Sequence, residues 1–175
     1  ATQRNLELTE PLHKGSDNFT LLTLLNQTVT PMGARLLKSW LIHPLLSVSE
    51  IQKRQEAIEE LLKHLSIRDL LRPVRDLERL MMRISTGCAS PRDLVALKIS
   101  LSSTPEIAQS LEPTNAFLIK DLLFPPIHPI TEKIDQILVD EPPIKLGEGK
   151  VIREGVSQEL DELRSLKSNS QSWIA

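Results

Sequence analysis

Tyrosine is absent from these 175 residues, tryptophan occurs twice and phenylalanine three times. Valine supplies seven positions against 31 for leucine, so the residues that fill pleated surfaces are scarce and good helix formers abundant. The composition predicts an all-α fold. A single cysteine, Cys88, excludes an intrachain disulfide and a cysteine-cluster zinc site, and suits a reducing compartment. No apolar run approaches the roughly 18 to 20 residues of a membrane span, and no signal-peptide pattern is present, which predicts a cytosolic chain. Charge of neither sign dominates: 21 Lys and Arg against 23 Asp and Glu leave −2, which is not the footprint of an autonomous nucleic-acid binder. What is there is ordinary for a globular chain, with 40% hydrophobic residues and a mean hydropathy of −0.14. Both ends read as cut from something longer, the first without an initiator methionine and the last without a helix stop.

Helical signals follow one another along the chain. In "TVTPMGARLLKSWLIHPLL" Thr30 can cap a helix that Pro31 opens and Pro44 ends. Leu36, Leu37, Trp40 and Leu41 fall on one face with Gly33 a turn earlier, which predicts that Gly33 lets a neighbouring helix approach. In "SVSEIQKRQEAIEELLKHL" Ser47 and Glu50 stand at capping-box spacing, and Ile51, Ile58, Leu62 and Leu65 form a stripe. "RPVRDLERLMMRI" carries Leu77, Leu80, Met81 and Ile84 at helical spacing and is closed by Gly87; "SPRDLVALKISL" then opens on Ser90, Pro91 and Asp93 and buries Leu94, Leu97 and Leu101. Shorter helices are predicted beyond Pro105, around Ala116 to Leu123 and around Thr131 to Asp140. Half of the six glycines then crowd into "EPPIKLGEGKVIREG", a small β-hairpin or irregular connector, before helical spacing resumes through Leu160, Leu163, Leu166 and Trp173.

Chemistry-bearing patterns are few. His13, His43, His64 and His128 are far apart and none has a second histidine or a cysteine at i+3 or i+4, so they read as ordinary surface or helix-end histidines. Cys88, in a turn of small residues, reads as an inert thiol. "LGEGKVI" is not a phosphate loop, because Ile144 stands where glycine is needed and Val151 where Ser or Thr is needed. The carboxylates Glu159, Asp161 and Glu162 complement a helix dipole. Arg72, Arg75, Arg79 and Arg83 recur at i, i+3, i+7 and i+11 and could line a phosphate backbone; the structural reading pairs Asp76 with Arg79 and Glu78 with Arg75 instead.

The segments "RNLELTEPL", "TVTPMGARLLKSWLIHPLL", "IQKRQEAIEELL", "DLERLMMRISTGCASPRDLVAL" and "DEPPIKLGEGKVIREGVSQELDELR", in this order, resemble the MutS family of DNA mismatch-repair proteins over essentially the whole chain. The part resembled is the helical core domain and the beginning of the lever. The resemblance implies a helical core at residues 1–145, a connector at 146–156 and the start of a lever helix at 157–175. The family's "MG-x-R-L-L-x-x-W-L" falls on Met32, Gly33, Arg35, Leu36, Leu37, Trp40 and Leu41. Its "D-L-E-R-L" falls on Asp76, Leu77, Glu78, Arg79 and Leu80, and its "P-R-D-L" on Pro91, Arg92, Asp93 and Leu94. These positions imply a structural core and no reaction centre, with Arg35 bonded to a neighbouring helix end or a carboxylate. "G-x-I-R-x-G" is met at Gly149 and Val151 to Gly155, with Lys150 inserted. Mismatch-reading, clamp and ATPase motifs of the family are not in this chain. The resemblance therefore implies no catalytic residue and no cofactor here, with ATP and magnesium belonging to a parent that binds mismatched duplex DNA, dimerises and contacts MutL, away from any membrane. The parent would be cytoplasmic in a bacterium and nuclear or organellar in a eukaryote. The rival readings are a free-standing helical protein-interaction module and a helical enzyme whose site is assembled from scattered residues.

Overall fold

Most helices start where the sequence offers their first N–H groups an acceptor or a proline that needs none, the third, fourth and eighth helices being the exceptions. The structure, a computed structural model, describes residues 5–12, 19–122, 127–144 and 147–174, the side chains of 168–174 excepted. His13, Leu123, the Trp173 side chain and the expected boundary between Lys145 and Leu146 lie outside these residues. In order come α1 (Leu21–Leu25), α2 (Pro31–Ile42), α3 (Val48–Leu62), α4 (Ile67–Leu71), α5 (Leu77–Ser85), α6 (Pro91–Ser102), α7 (Thr104–Leu111), α8 (Phe117–Lys120), α9 (His128–Ile137) and α10 (Gln158–Ile174). No strand occurs among the described residues; one isolated antiparallel bridge joins Leu138 to Ile152. The chain is all-α, and the connector is irregular rather than a hairpin.

The caps follow the sequence in three of four cases. Thr30 accepts the Gly33 N–H at 3.1 Å at the head of α2, and Ser90 and Asp93 form a reciprocal capping box on α6. At the end of α5 the Gly87 N–H reaches the Ile84 carbonyl and the Cys88 N–H the Arg83 carbonyl, with Gly87 at φ +70°, the left-handed closure that glycine permits. Ser47 departs from the expectation. It occupies the N-cap position of α3 but its hydroxyl lies 2.9 Å from the Ser49 hydroxyl, and Glu50 pairs with Lys53 at 2.8 Å. Spacing alone could not show that a second serine and a nearby lysine compete for both capping partners.

Packing is pairwise: α9 on α6, α3 on α8, α4 on α7, α5 on α6, α1 on α2 and α6 on α7. Buried apolar side chains are few, among them Leu80 on α5, Leu97 on α6, Ile107 on α7 and Leu138 after α9. Ala57 of α3 meets Ala116 and Ile119 in one small cluster. The stripe expected on α3 is formed over Ile51, Ile58 and Leu62 but uncovered, all three being exposed, while Leu65 falls beyond the end of the helix and is exposed as well. Leu36, expected inward, is 52% exposed. Gly33 meets no other helix: a Cβ there would lie 3.1 Å from Thr30 Oγ1 and 3.5 Å from Thr28 Cβ, so the close approach is made by the helix's own cap. The chain exposes 13233 Å². A free-standing globular chain of 19.7 kDa exposes roughly 8,600 Å². Its helices thus present apolar faces that this chain does not fill.

Candidate functional site

Where apolar burial is thin, orientation between helices falls to long side chains that reach from one element to another. Arginine suits this, because its planar fork fixes an angle as well as a distance. Arg35 on α2 extends Nη1 to Asp76 Oδ2 at 2.6 Å and Nη2 to Asp76 Oδ1 at 2.9 Å, and also donates to Glu78. Asp76 is the N-cap of α5, its Oδ1 accepting the Arg79 N–H at 3.3 Å. One side chain therefore grips both a helix end and a carboxylate. The Arg35 hydrogen bonds hold the Asp76 carboxyl down at about 2 against a smaller opposing effect of desolvation, and the Arg79 N–H adds to the lowering. The Arg35 guanidinium is pushed up by the same two carboxylates.

The seam continues along the chain. Arg83 of α5 sits 3.1 Å from Asp93 of α6, the residue that closes the capping box. Burial opposes ionisation of Asp93, but the Ser90 hydroxyl and N–H and the Arg83 charge outweigh it and its pKa falls. Arg92 donates from Nε to the Pro142 carbonyl at 2.8 Å, tying α6 to the residues after α9. Lys98, also on α6, reaches Asp135 of α9 at 2.7 Å and Asp140 at 3.6 Å, and lowers the Asp135 pKa. Such half-exposed pairs contribute little to stability, so what they supply is fixed geometry.

Other residues singled out by sequence take these places. Met32, Leu37 and Leu41 are half-buried on α2, and Trp40 lies under Arg54 of α3, whose guanidinium is 4.1 Å from the ring centre. Leu80 is buried, Leu77 half-buried; Pro91 opens α6 and Leu94 lines a groove with Ile134 and Ile137 of α9. The four arginines do not share a helical face. Arg72 is the C-cap of α4 and pairs with Asp69 at 3.0 Å, Arg75 lies between helices, and only Arg79 and Arg83 stand on α5. Arg79 pairs with Asp76 at 3.5 Å as expected, whereas Glu78 goes to Arg35 and not to Arg75. The reason is that the helix starts at Leu77, so Arg75 precedes it and the i−3 relation loses its meaning. Sequence reasoning also missed Ser100. It is fully buried, accepts the Arg75 N–H at 2.9 Å and donates to the Ala96 carbonyl at 2.8 Å. A lone serine three residues after Leu97 on an apolar face is the signal that could have found it.

Among the described residues no group of three or more His, Cys, Asp or Glu could hold a metal ion, and no helix is long and apolar enough to cross a membrane. Residues 1–173 match the family described as MutS domain III. The chain is 44% identical to the DNA mismatch repair protein MutS of Protochlamydia amoebophila, over 99% of this chain and 21% of that protein. It is 45% identical to MutS of Methanosarcina mazei, over 99% of this chain and 20% of that protein, and 40% identical to MutS of Halothermothrix orenii, over 100% and 20%. The chain spans about a fifth of the length of these curated relatives.

Proposed function

The chain belongs to the MutS domain III family, and from that premise we propose that it acts as the structural transmission of a MutS-type DNA mismatch-repair protein. In this reading the parent binds mismatched duplex DNA, hydrolyses ATP with magnesium, dimerises and contacts MutL. All of these sites lie in its remaining domains, and it works in the bacterial cytoplasm or in a eukaryotic nucleus or organelle. Residues 1–145 form the helical core, 146–156 the connector and 157–175 the start of the lever. Of the parent's work, this chain carries displacement.

The observation that carries the proposal is the succession of directional ties α2–α5–α6–α9, made by Arg35, Arg83, Arg92 and Lys98. Elements bound by such ties, forked at Arg35 and single at the others, turn together, which is what an allosteric route requires physically. The uncovered stripe on α3 supports the same reading, because a transmission domain meets neighbours on several faces. Arg35→Ala in the full-length parent tests it. ATP hydrolysis is expected to stay within about twofold, while ATP-triggered release from a mismatched duplex slows about tenfold, equal to about 1.4 kcal/mol of lost coupling. Equal slowing of both, or of neither, contradicts the proposal.

A further inference from the structure

Val151, Ile152 and Arg153 hold two helices at once. On one side the Val139 N–H donates to the Val151 carbonyl at 3.0 Å and the Arg153 N–H to the Ile137 carbonyl at 2.9 Å, the two bonds of the antiparallel bridge between Leu138 and Ile152. The Arg153 side chain strengthens that side: Nε donates to the Asp135 carbonyl at 2.7 Å, and Nη2 lies 2.8 Å from Asp140 Oδ1. On the other side Arg164 of α10 donates from Nη2 to the Ile152 carbonyl at 2.9 Å. Its Nη1 pairs with Asp161 at 3.0 Å, and the second oxygen of Asp161 accepts the Gly155 N–H at 2.7 Å.

Among its described side chains, α10 has little apolar cover to compete with this polar joint in setting its direction. Leu160 is half-buried but Leu163 and Leu166 are 58% and 64% exposed, and α10 takes part in none of the broader helix–helix packings among the described residues. A helix with so thin an apolar seat takes its direction largely from its directional hydrogen bonds. We propose that Arg153 and Arg164 are positioning residues forming a two-sided joint through which movement of α9 is handed to α10. Lys98 completes the route, since it holds the same Asp135 and Asp140 carboxylates that Arg153 engages, joining α6 to the far side of the bridge.

This inference rests on the transmission reading, and one experiment separates the two. Spin labels on Ser102→Cys of α6 and Glu159→Cys of α10, in a full-length parent cleared of other cysteines, report the distance distribution between core and lever. With the joint intact the distribution is narrow and shifts with ATP. Arg153→Ala and Arg164→Ala each broaden it at least twofold without nucleotide, and Arg164→Lys, which retains one donor for the Ile152 carbonyl, restores most of the narrowing. ATP hydrolysis stays within about twofold of the unsubstituted protein. Alanine variants as narrow as the unsubstituted protein overturn the joint, even where ATP still shifts the distance and the transmission reading stands. An unsubstituted protein whose distance ignores ATP overturns the transmission reading, while broadening in the alanine variants still upholds the joint.

Discussion

Asp76 is the residue on which most depends, because one carboxylate caps α5 and receives Arg35. Its pKa of about 2 lies below the ordinary carboxylate value, so its contribution to stability is complete above about pH 4 and is lost as pH falls through about 2. A carboxyl-carbon NMR titration of the 175-residue chain is expected to show that midpoint, and Arg35→Gln to move it up towards about 4. A midpoint unmoved by the substitution removes Arg35 as its cause. Ser100→Ala removes a fully buried hydroxyl with its two hydrogen bonds, one of them from the Arg75 N–H, and is expected to cost about 1 kcal/mol in urea unfolding, whereas the exposed Ser102→Ala costs under about 0.5 kcal/mol. Arg75 and Arg79 together test the other use of the arginines. Replacing both by alanine in the parent is expected to leave affinity for mismatched duplex within about threefold, whereas a tenfold loss with a shallower salt slope assigns them to phosphates. The sequence marked Arg35 as bonded to a helix end or a carboxylate, and Asp76 is both. For Ser100 it offered only a lone serine on an apolar face, and the donor that gives that serine its importance stands 25 positions away.

At the scale of elements, local chemistry was legible and its competitors were not. Thr30 with Pro31, Ser90 with Asp93, and Gly87 are signals contained within one turn of chain, and the structure realises each of them. Ser47 carries the same lettering and fails, because Ser49 and Lys53 draw its partners away. The difference is measurable: Ser90→Ala is expected to cost about 1 kcal/mol and Ser47→Ala less than about 0.5 kcal/mol in the same unfolding assay. Equal costs contradict the assignment of the two caps. α9 begins at His128, earlier than the apolar spacing indicates, with Pro129 in its first turn. It also ends earlier, since Leu138 and Val139 leave the helix to pair with the connector. That pairing joins segments more than ten residues apart, so no window of helical periodicity contains it. The short helices α1 and α4 were hidden for a related reason, each being about one turn long and too short to show a period.

For the whole molecule, the surface of 13233 Å² against roughly 8,600 Å² for a compact chain of this mass means that extended helices leave apolar faces open. The leucine-rich composition made the helices legible but not which of their faces would be filled within the chain, and the α3 stripe shows the limit. Its periodicity is correct and its partner is not supplied here. Leu62→Glu is therefore expected to leave the unfolding midpoint of the isolated chain nearly unchanged, because Leu62 is already exposed, and to lower that of the parent by several degrees. The central claim is that this domain passes nucleotide-driven movement from one end to the other, and the most direct measurement is a distance across it. Spin labels on Lys38→Cys of α2 and Glu159→Cys of α10 in the full-length parent, read with and without a non-hydrolysable ATP analogue, span the route. The expected result is a nucleotide-dependent shift of the distance that Arg35→Ala abolishes while nucleotide still binds. A distance that stays fixed while the parent changes its grip on DNA contradicts the account.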